Sequence, residues 1–248
     1  MKIFILTPIL TKEKRGESQH KRRSIRMPKS PDVELEYRSL DEGSSTVESF
    51  YDEYVGAIDM VEKALIAQKE GFDAIVINCF MNPMLEGLRE LLDIPVIGAG
   101  EAAVHIASIL GDNFSLLDPG PPHQTYSHRV VADSGLTNKL KSVRYLSLGI
   151  SGLSKDFETI LDQIIETSRI AVERDGAHVI VLGCTGMRQF AEKLAKKMEE
   201  YNVPVVEPLQ TAINVAEILV RLKLKQSKRT YPKPLQKKRI PDIFAKLE

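Results

Sequence analysis

Two cysteines stand at matching places in a chain that repeats itself. Gly71-Phe-Asp-Ala-Ile-Val-Ile-Asn-Cys79 parallels Gly176-Ala-His-Val-Ile-Val-Leu-Gly-Cys184, each cysteine eight residues past its glycine and the two 105 positions apart. A thiol with a reference pKa of about 8.5 exchanges its proton within reach of neutral pH, so cysteine serves as acid or base. A pair of such groups suits a reaction in which a proton leaves one face of a carbon acid and another arrives at the opposite face. Inversion without a cofactor needs one member deprotonated while its opposite number is protonated, with the roles exchanged for the mirror-image substrate. Plainer readings exist, as two inert core thiols or as one structural disulfide. Equivalent placement in the repeat favours the chemical reading.

The repeat continues beyond the cysteines. Ile94-Pro95-Val96-Ile97 matches Val203-Pro204-Val205-Val206, and Glu101-Ala-Ala-Val-His-Ile-Ala matches Gln210-Thr-Ala-Ile-Asn-Val-Ala. Each cysteine is expected at the C-terminal end of a parallel strand where a helix begins, which is the edge where open α/β sheets bind ligands. Pseudo-twofold symmetry would aim both thiols into one cleft. A helix start directly after a thiol favours the thiolate. The backbone N–H groups there, at Phe80, Met81, Thr185 and Gly186, are expected to hold an enolate oxygen.

Other residues belong to the same edge. Thr7 and Pro8 close the first strand and are candidates for lining the site. Asp118 and Glu207 end strands, where each can meet a substrate N–H or cap a helix. Phe80 can cover an apolar substituent or pack into the core. His105, on the helix after Glu101, reads as a packing histidine, and His123 and His128, after the turn-rich Asp118-Pro-Gly-Pro-Pro, read as surface residues. No cluster of His, Cys and carboxylates has metal-ligand spacing, so no metal is expected. Gly98-Ala-Gly-Glu101 lacks the further glycine and the lysine of a phosphate loop.

The elements that must hold these residues alternate along the chain, which predicts an α/β fold with a mainly parallel sheet. Strands are expected at Lys2–Thr7, Val33–Ser39, Ala74–Asn78, Val96–Gly98, Phe114–Leu117, Val143–Leu148, His178–Gly183 and Val205–Glu207. Helices are expected at Glu53–Glu70, Leu85–Leu92, Glu101–Leu110, Phe157–Arg174, Met187–Tyr201 and Thr211–Leu222.

The 248 residues are 43% hydrophobic and 27% charged, with 34 basic and 34 acidic side chains. A net charge of zero gives no pull toward nucleic acid or membrane. No run reaches the ~18 apolar residues of a membrane span, and Met1 to Leu10 reads as a buried strand rather than a leader, so the expected location is the cytoplasm. The polar, basic stretch Lys12 to Pro31 reads as a loop over the site, and residues 223–248 as a basic tail beyond a domain of residues 1–222. The tail is expected to lie on the periphery or on a neighbouring subunit.

Three motifs together resemble a known family. Cys79-Phe80-Met81-Asn82-Pro83-Met84-Leu85, Pro95-Val96-Ile97-Gly98-Ala99-Gly100-Glu101-Ala102-Ala103 and Leu182-Gly183-Cys184-Thr185-Gly186-Met187 are similar to the Asp/Glu/hydantoin racemase superfamily, most of all to its hydantoin racemase branch. The likeness runs from Lys2 to Leu222. It implies two pseudo-symmetric α/β/α lobes, the second centred on about residues 115–205, with the site in the cleft between them. It also implies one catalytic cysteine per lobe, no cofactor, a small-molecule substrate and a homo-oligomer. Glutamate racemases of the family carry Asp-Ser-Gly after the first strand, Cys-Asn-Thr and Cys-Thr-His. This chain has Thr7-Pro8-Ile9, Cys79-Phe80-Met81 and Cys184-Thr185-Gly186, without that helper acid and histidine, which fits a more acidic carbon such as a hydantoin C5. The Asn-Pro-Asn-Thr run usual in hydantoin racemases is approximated only by Thr7-Pro8. Aspartate or glutamate racemisation, malonate decarboxylation and maleate isomerisation stand as other enzyme readings, and a small-molecule binding protein with inert core cysteines as the non-enzyme one.

Overall fold

The structure is a computed structural model that describes residues 1–11, 29–121, 125–153 and 156–239. His123, the final residues of the tail and all but the last three residues of the basic stretch 12–31 lie outside the described residues. Eight strands and eight helices alternate as β1 (Lys2–Leu10), β2 (Glu34–Leu40), α1 (Phe50–Lys69), β3 (Ala74–Ile77), α2 (Leu85–Leu91), β4 (Val96–Gly98), α3 (Ala99–Leu110), β5 (Phe114–Asp118), α4 (Tyr126–Asp133), β6 (Leu140–Tyr145), α5 (Gly149–Gly152), α6 (Phe157–Glu173), β7 (Ile180–Leu182), α7 (Ala191–Met198), β8 (Val205–Val206) and α8 (Pro208–Arg221) among the described residues.

The strands form two four-stranded sheets with the orders β2-β1-β3-β4 and β6-β5-β7-β8, and every pairing is parallel. The α/β class is thus as expected, and both sheets carry one topology. The duplication reaches single hydrogen bonds. Asn78 N–H donates to the Leu6 carbonyl at 2.8 Å, and Gly183 N–H to the Leu117 carbonyl at 2.8 Å. Likewise Ile75 N–H donates to Pro95 O at 2.9 Å and Ile180 N–H to Pro204 O at 3.0 Å. The strands β3, β5 and β7 are buried along their whole length, because parallel strands inside a sheet are covered on both faces, and β3 and β7 read as continuous apolar runs.

The chain divides into two compact units. The first comprises Met1–Asn78, Pro83–Gly98 and the chain from Ile213 onward, and the second Cys79–Asn82 with Ala99–Ala212. In the first, Ser49 caps α1 by accepting the Asp52 N–H at 3.1 Å. In the second, Asp156 caps α6 through the Thr159 N–H at 3.1 Å. The two repeat glycines end these helices in the left-handed region, Gly71 at φ 82° and Gly176 at φ 75°, a conformation that a side chain would oppose.

Several boundaries differ from expectation. β1 runs on past Thr7 to Leu10, with its pairing to β2 shifted between those residues, where Pro8 has no N–H to give. β6 starts earlier, because it is a half-exposed strand held through Ser142 and Arg144 to Asp175 and not by an apolar run. The helix expected at Met187–Tyr201 is a 3-10 segment, Thr185–Phe190, then α7, then another 3-10 turn. Neither α4 nor α5 was expected. Past Leu222 the chain is bonded to the first unit: the Gln226 amide pairs with both Val96 N–H and Val96 O at 3.0 Å, and Lys228 Nζ donates to the carbonyls of Arg89, Glu90 and Leu92. Tyr231 lies under the Arg89 guanidinium, and Lys233 pairs with Asp93 at 2.7 Å. Among the described residues no helix is long and apolar enough to cross a membrane.

Candidate active site

Buried β3 delivers Asn78 and then Cys79 to the carboxyl edge of the first sheet. Asn78 Nδ2 donates to Thr7 Oγ1 at 3.1 Å, tying the chain just past β3 to β1 where the pairing of β1 with β2 shifts. The chain then makes a tight turn closed by Asn82 N–H to the Cys79 carbonyl at 3.2 Å. A helix directly after Cys79, expected from the repeat, is not what forms: α2 begins only at Leu85. Asn82 at φ 54° and Met84 at φ 59° both break the helical path, and Pro83 lies between them. The amides beside Cys79 are therefore turn amides rather than a helix start.

The turn is pressed onto α3. Phe80 is 3% exposed and belongs to the core with Ala103, Val104, Phe114 and Leu116, so the packing reading of this side chain is the one its burial supports. The Phe80 carbonyl lies so close to Gly100 that a Cβ there would be 1.9 Å from its oxygen. Asn82 Oδ1 accepts the Gly100 N–H at 2.8 Å and, more loosely, the Glu101 N–H at 3.4 Å, which caps the first turn of α3.

On the other side β7 delivers Gly183 and Cys184. Cys184 has an extended backbone and caps the 3-10 segment Thr185–Phe190, its Sγ accepting the Gly186 N–H at 3.3 Å. That bond stabilises negative charge on the sulfur. It also directs the Gly186 amide, expected to face an enolate oxygen, at the thiol itself. The segment is anchored from beneath by Met187 and Phe190, both fully buried, with Phe190 stacked on Phe157 at 4.9 Å. Gln189 Nε2 donates to the Leu153 carbonyl at 2.9 Å. Both cysteines are half-buried thiols outside any disulfide.

The two carboxylates of the second sheet are engaged with the backbone. Asp118, the last residue of β5 and 8% exposed, accepts the Gly120 N–H at 2.7 Å and the Ser127 hydroxyl. Glu207 follows β8 and caps α8, taking the Leu209 N–H at 2.9 Å and the Gln210 N–H at 2.7 Å, with Pro208 at the first helical position. Burial pushes both carboxyls above the ordinary range, against the pull of those N–H groups. His105 and His128 are exposed on α3 and α4, so the packing role expected of His105 does not hold. Among the described residues no three of His, Cys, Asp and Glu gather as a metal-ligand set.

The second unit holds Cys79, Phe80, Met81, Asp118, Cys184, Thr185, Gly186 and Glu207, whereas Thr7 and Pro8 lie in the first. Asn82 and Gly100 were not foreseen as site residues. Their signals were the Asn82-Pro83 dipeptide, a turn mark, and the place in the repeat where Gly98 stands opposite Glu207.

Residues 21–216 match the model of the Asp/Glu/Hydantoin racemase family. The chain is similar to a hydantoin racemase from Paenarthrobacter aurescens, with 37% identity over 79% of this chain and 82% of the relative. A second hydantoin racemase, from Pseudomonas sp. strain NS671, is 32% identical over 96% of this chain and 93% of the relative. Among solved structures, an allantoin racemase from Pseudomonas fluorescens superposes with a TM-score of 0.84 at 30% identity, covering 96% of this chain and 99% of that one.

Proposed function

Because this chain belongs to the Asp/Glu/hydantoin racemase family and is an isomerase of the racemase class, we propose that it inverts C5 of 5-monosubstituted hydantoins with Cys79 and Cys184 as alternating base and acid. The observation that carries the reading is the placement of the two thiols. Each follows the corresponding strand of one duplicated topology, and both turns belong to the unit that contains Ala99–Ala212.

The chemistry follows from the substrate. C5 of a hydantoin lies beside a neutral carbonyl, so removal of its proton gives an enolate without adding charge to an existing carboxylate. One thiolate takes the proton, and the opposite thiol returns one to the other face. The Gly186 N–H on Cys184 Sγ prepares that sulfur to carry charge. The turn amides of Phe80 and Met81 are the proposed donors to the enolate oxygen, with Thr185 beside Cys184 as a further contact. Asp118 and Glu207 sit at the carboxyl edge of their sheet, and their remaining lone pairs are the proposed acceptors for ring N–H groups. We extend the proposal to a cofactor-independent homo-oligomer in the cytoplasm.

A second substrate is favoured by the structural likeness to an allantoin racemase. Allantoin is a hydantoin with a ureido group at C5, so ring, carbon acid and thiol chemistry are shared, and only the pocket for the substituent differs. The test is deuterium incorporation with loss of optical rotation, in D2O, on single enantiomers of a 5-alkyl hydantoin and of allantoin. Wild type should label the inverted product at C5. Cys79→Ser and Cys184→Ser should each lose at least about 100-fold in rate, the scale of a general acid or base removed. Inversion that survives either substitution would sink the two-thiol mechanism, and preference for one substrate assigns the substituent.

A further inference from the structure

The duplicated halves solve one problem in two ways. In the repeat Val96, Ile97 and Gly98 occupy the places of Val205, Val206 and Glu207, because Val96 pairs with Ile75 and Val205 with Ile180. Gly100 and Glu101 therefore correspond to Leu209 and Gln210. All four supply first-turn N–H groups, of α3 and of α8. In α8 the residue at the helix boundary, Glu207, accepts both amides with its own carboxylate. In α3 that position is Gly98, with no side chain to offer, and the cap comes from Asn82 in the Cys79 turn.

From this difference we infer that Asn82 is the positioning residue of Cys79, a role that rests on the two-thiol reading above. Two properties of Asn82 converge. Its backbone N–H closes the turn onto the Cys79 carbonyl, and its side chain locks the same turn to α3. Its φ of 54° is one that asparagine, aspartate and glycine adopt and most residues resist. The bond spans 18 positions of sequence, so the thiol's aim is set by a helix it does not adjoin in the chain. Cys184 needs no counterpart, since its 3-10 segment is anchored by Met187 and Phe190 and α8 is capped by Glu207.

The experiment separates the cap from the backbone. Asn82→Gly keeps the left-handed conformation and removes the side-chain oxygen. Asn82→Asp keeps both, aspartate being as good a cap as asparagine. Both purified full-length variants are compared with wild type in two assays. One is hydantoin racemisation, and the other is iodoacetamide alkylation of Cys79 and Cys184, resolved by peptide mass spectrometry. Asn82→Gly should lower kcat by about 10- to 100-fold, up to the scale of a misplaced reacting group, with a smaller change in KM. It should alter the alkylation rate of Cys79 and leave that of Cys184 as in wild type, and Asn82→Asp should restore both readouts. Equal changes at the two cysteines, or no change at Cys79, would overturn the inference. A wild type that racemises no hydantoin but shows the selective, Asp-rescued effect at Cys79 would leave the positioning role standing and defeat only the substrate reading.

Discussion

A methyl group on Gly100 has nowhere to go. The Phe80 carbonyl oxygen would be 1.9 Å from it and Val130 Cγ1 3.0 Å, and the oxygen belongs to backbone that the Phe80 side chain anchors in the core. Gly100→Ala should cost about 1–3 kcal/mol by overpacking, and should push the Cys79 turn off α3. Activity would fall further than stability, so a Gly100→Ala enzyme with wild-type turnover would contradict this account of the turn. Asp118 makes a different prediction. Burial raises its carboxyl, so just above the ordinary carboxylate range the native state holds more protons than the unfolded one. Stability from this group therefore falls as pH rises through that interval. Asn at 118 can accept from Gly120 and donate to Ser127 without titrating. Melting temperatures of Asp118→Asn and wild type, compared from about pH 4 to about pH 8, should shift in favour of the variant as pH rises. Parallel curves would show that the carboxyl is not perturbed in the folded protein.

At the scale of elements, the ends of helices decide most of what is near the site. α2 closes with the Lys228 ammonium donating to the carbonyls of Arg89, Glu90 and Leu92 at 2.8, 3.0 and 2.6 Å. A cation there meets both the orphaned carbonyls and the negative end of the helix. Lys228→Met should cost about 1–2 kcal/mol. In a chain of this size that is a drop of about 2–8 °C in melting temperature, and no drop would mean that these bonds are not formed in solution. Elements are legible in the sequence where apolar runs are continuous, as in β3. They are not where a tertiary partner makes the element. The three-residue spacing of Met187 and Phe190 suits an α-helix and a 3-10 segment alike, and the Cys184 cap and the Phe157 stack are absent from any local pattern. α4 was missed because only Ser127, Val130 and Val131 of its eight residues turn inward. Asn82 was missed for the same reason as the 3-10 segment: the amides it caps lie on another helix, 18 positions on.

At the scale of the whole molecule, the repeated strand order is what the matching cysteines foretold, and the chain ends are what they did not. The first unit is built from both ends of the sequence. The Met1 amino group donates to the Asp32 carbonyl at 2.7 Å, and Arg221 at the end of α8 pairs with the Asp32 carboxylate at 2.7 Å. Gln226 fills the edge of β4 that the strand order leaves unpaired. No local signal announces such contacts, since the partners are 31, 189 and 130 positions apart in sequence. The duplication also has a kinetic consequence. Mirror-image substrates have equal free energy in water, so any racemase must show equal kcat/KM in its two directions. Here the halves are alike in topology but differ at their caps: one thiol's turn hangs on Asn82, and the other sulfur carries the Gly186 N–H. For an enzyme working through those thiols, left- and right-handed ligands meet inequivalent hosts. Their KM values then differ, and their kcat values must differ by the same ratio: the caps set how tightly each hand is held, while the balance between the hands stays with the solvent.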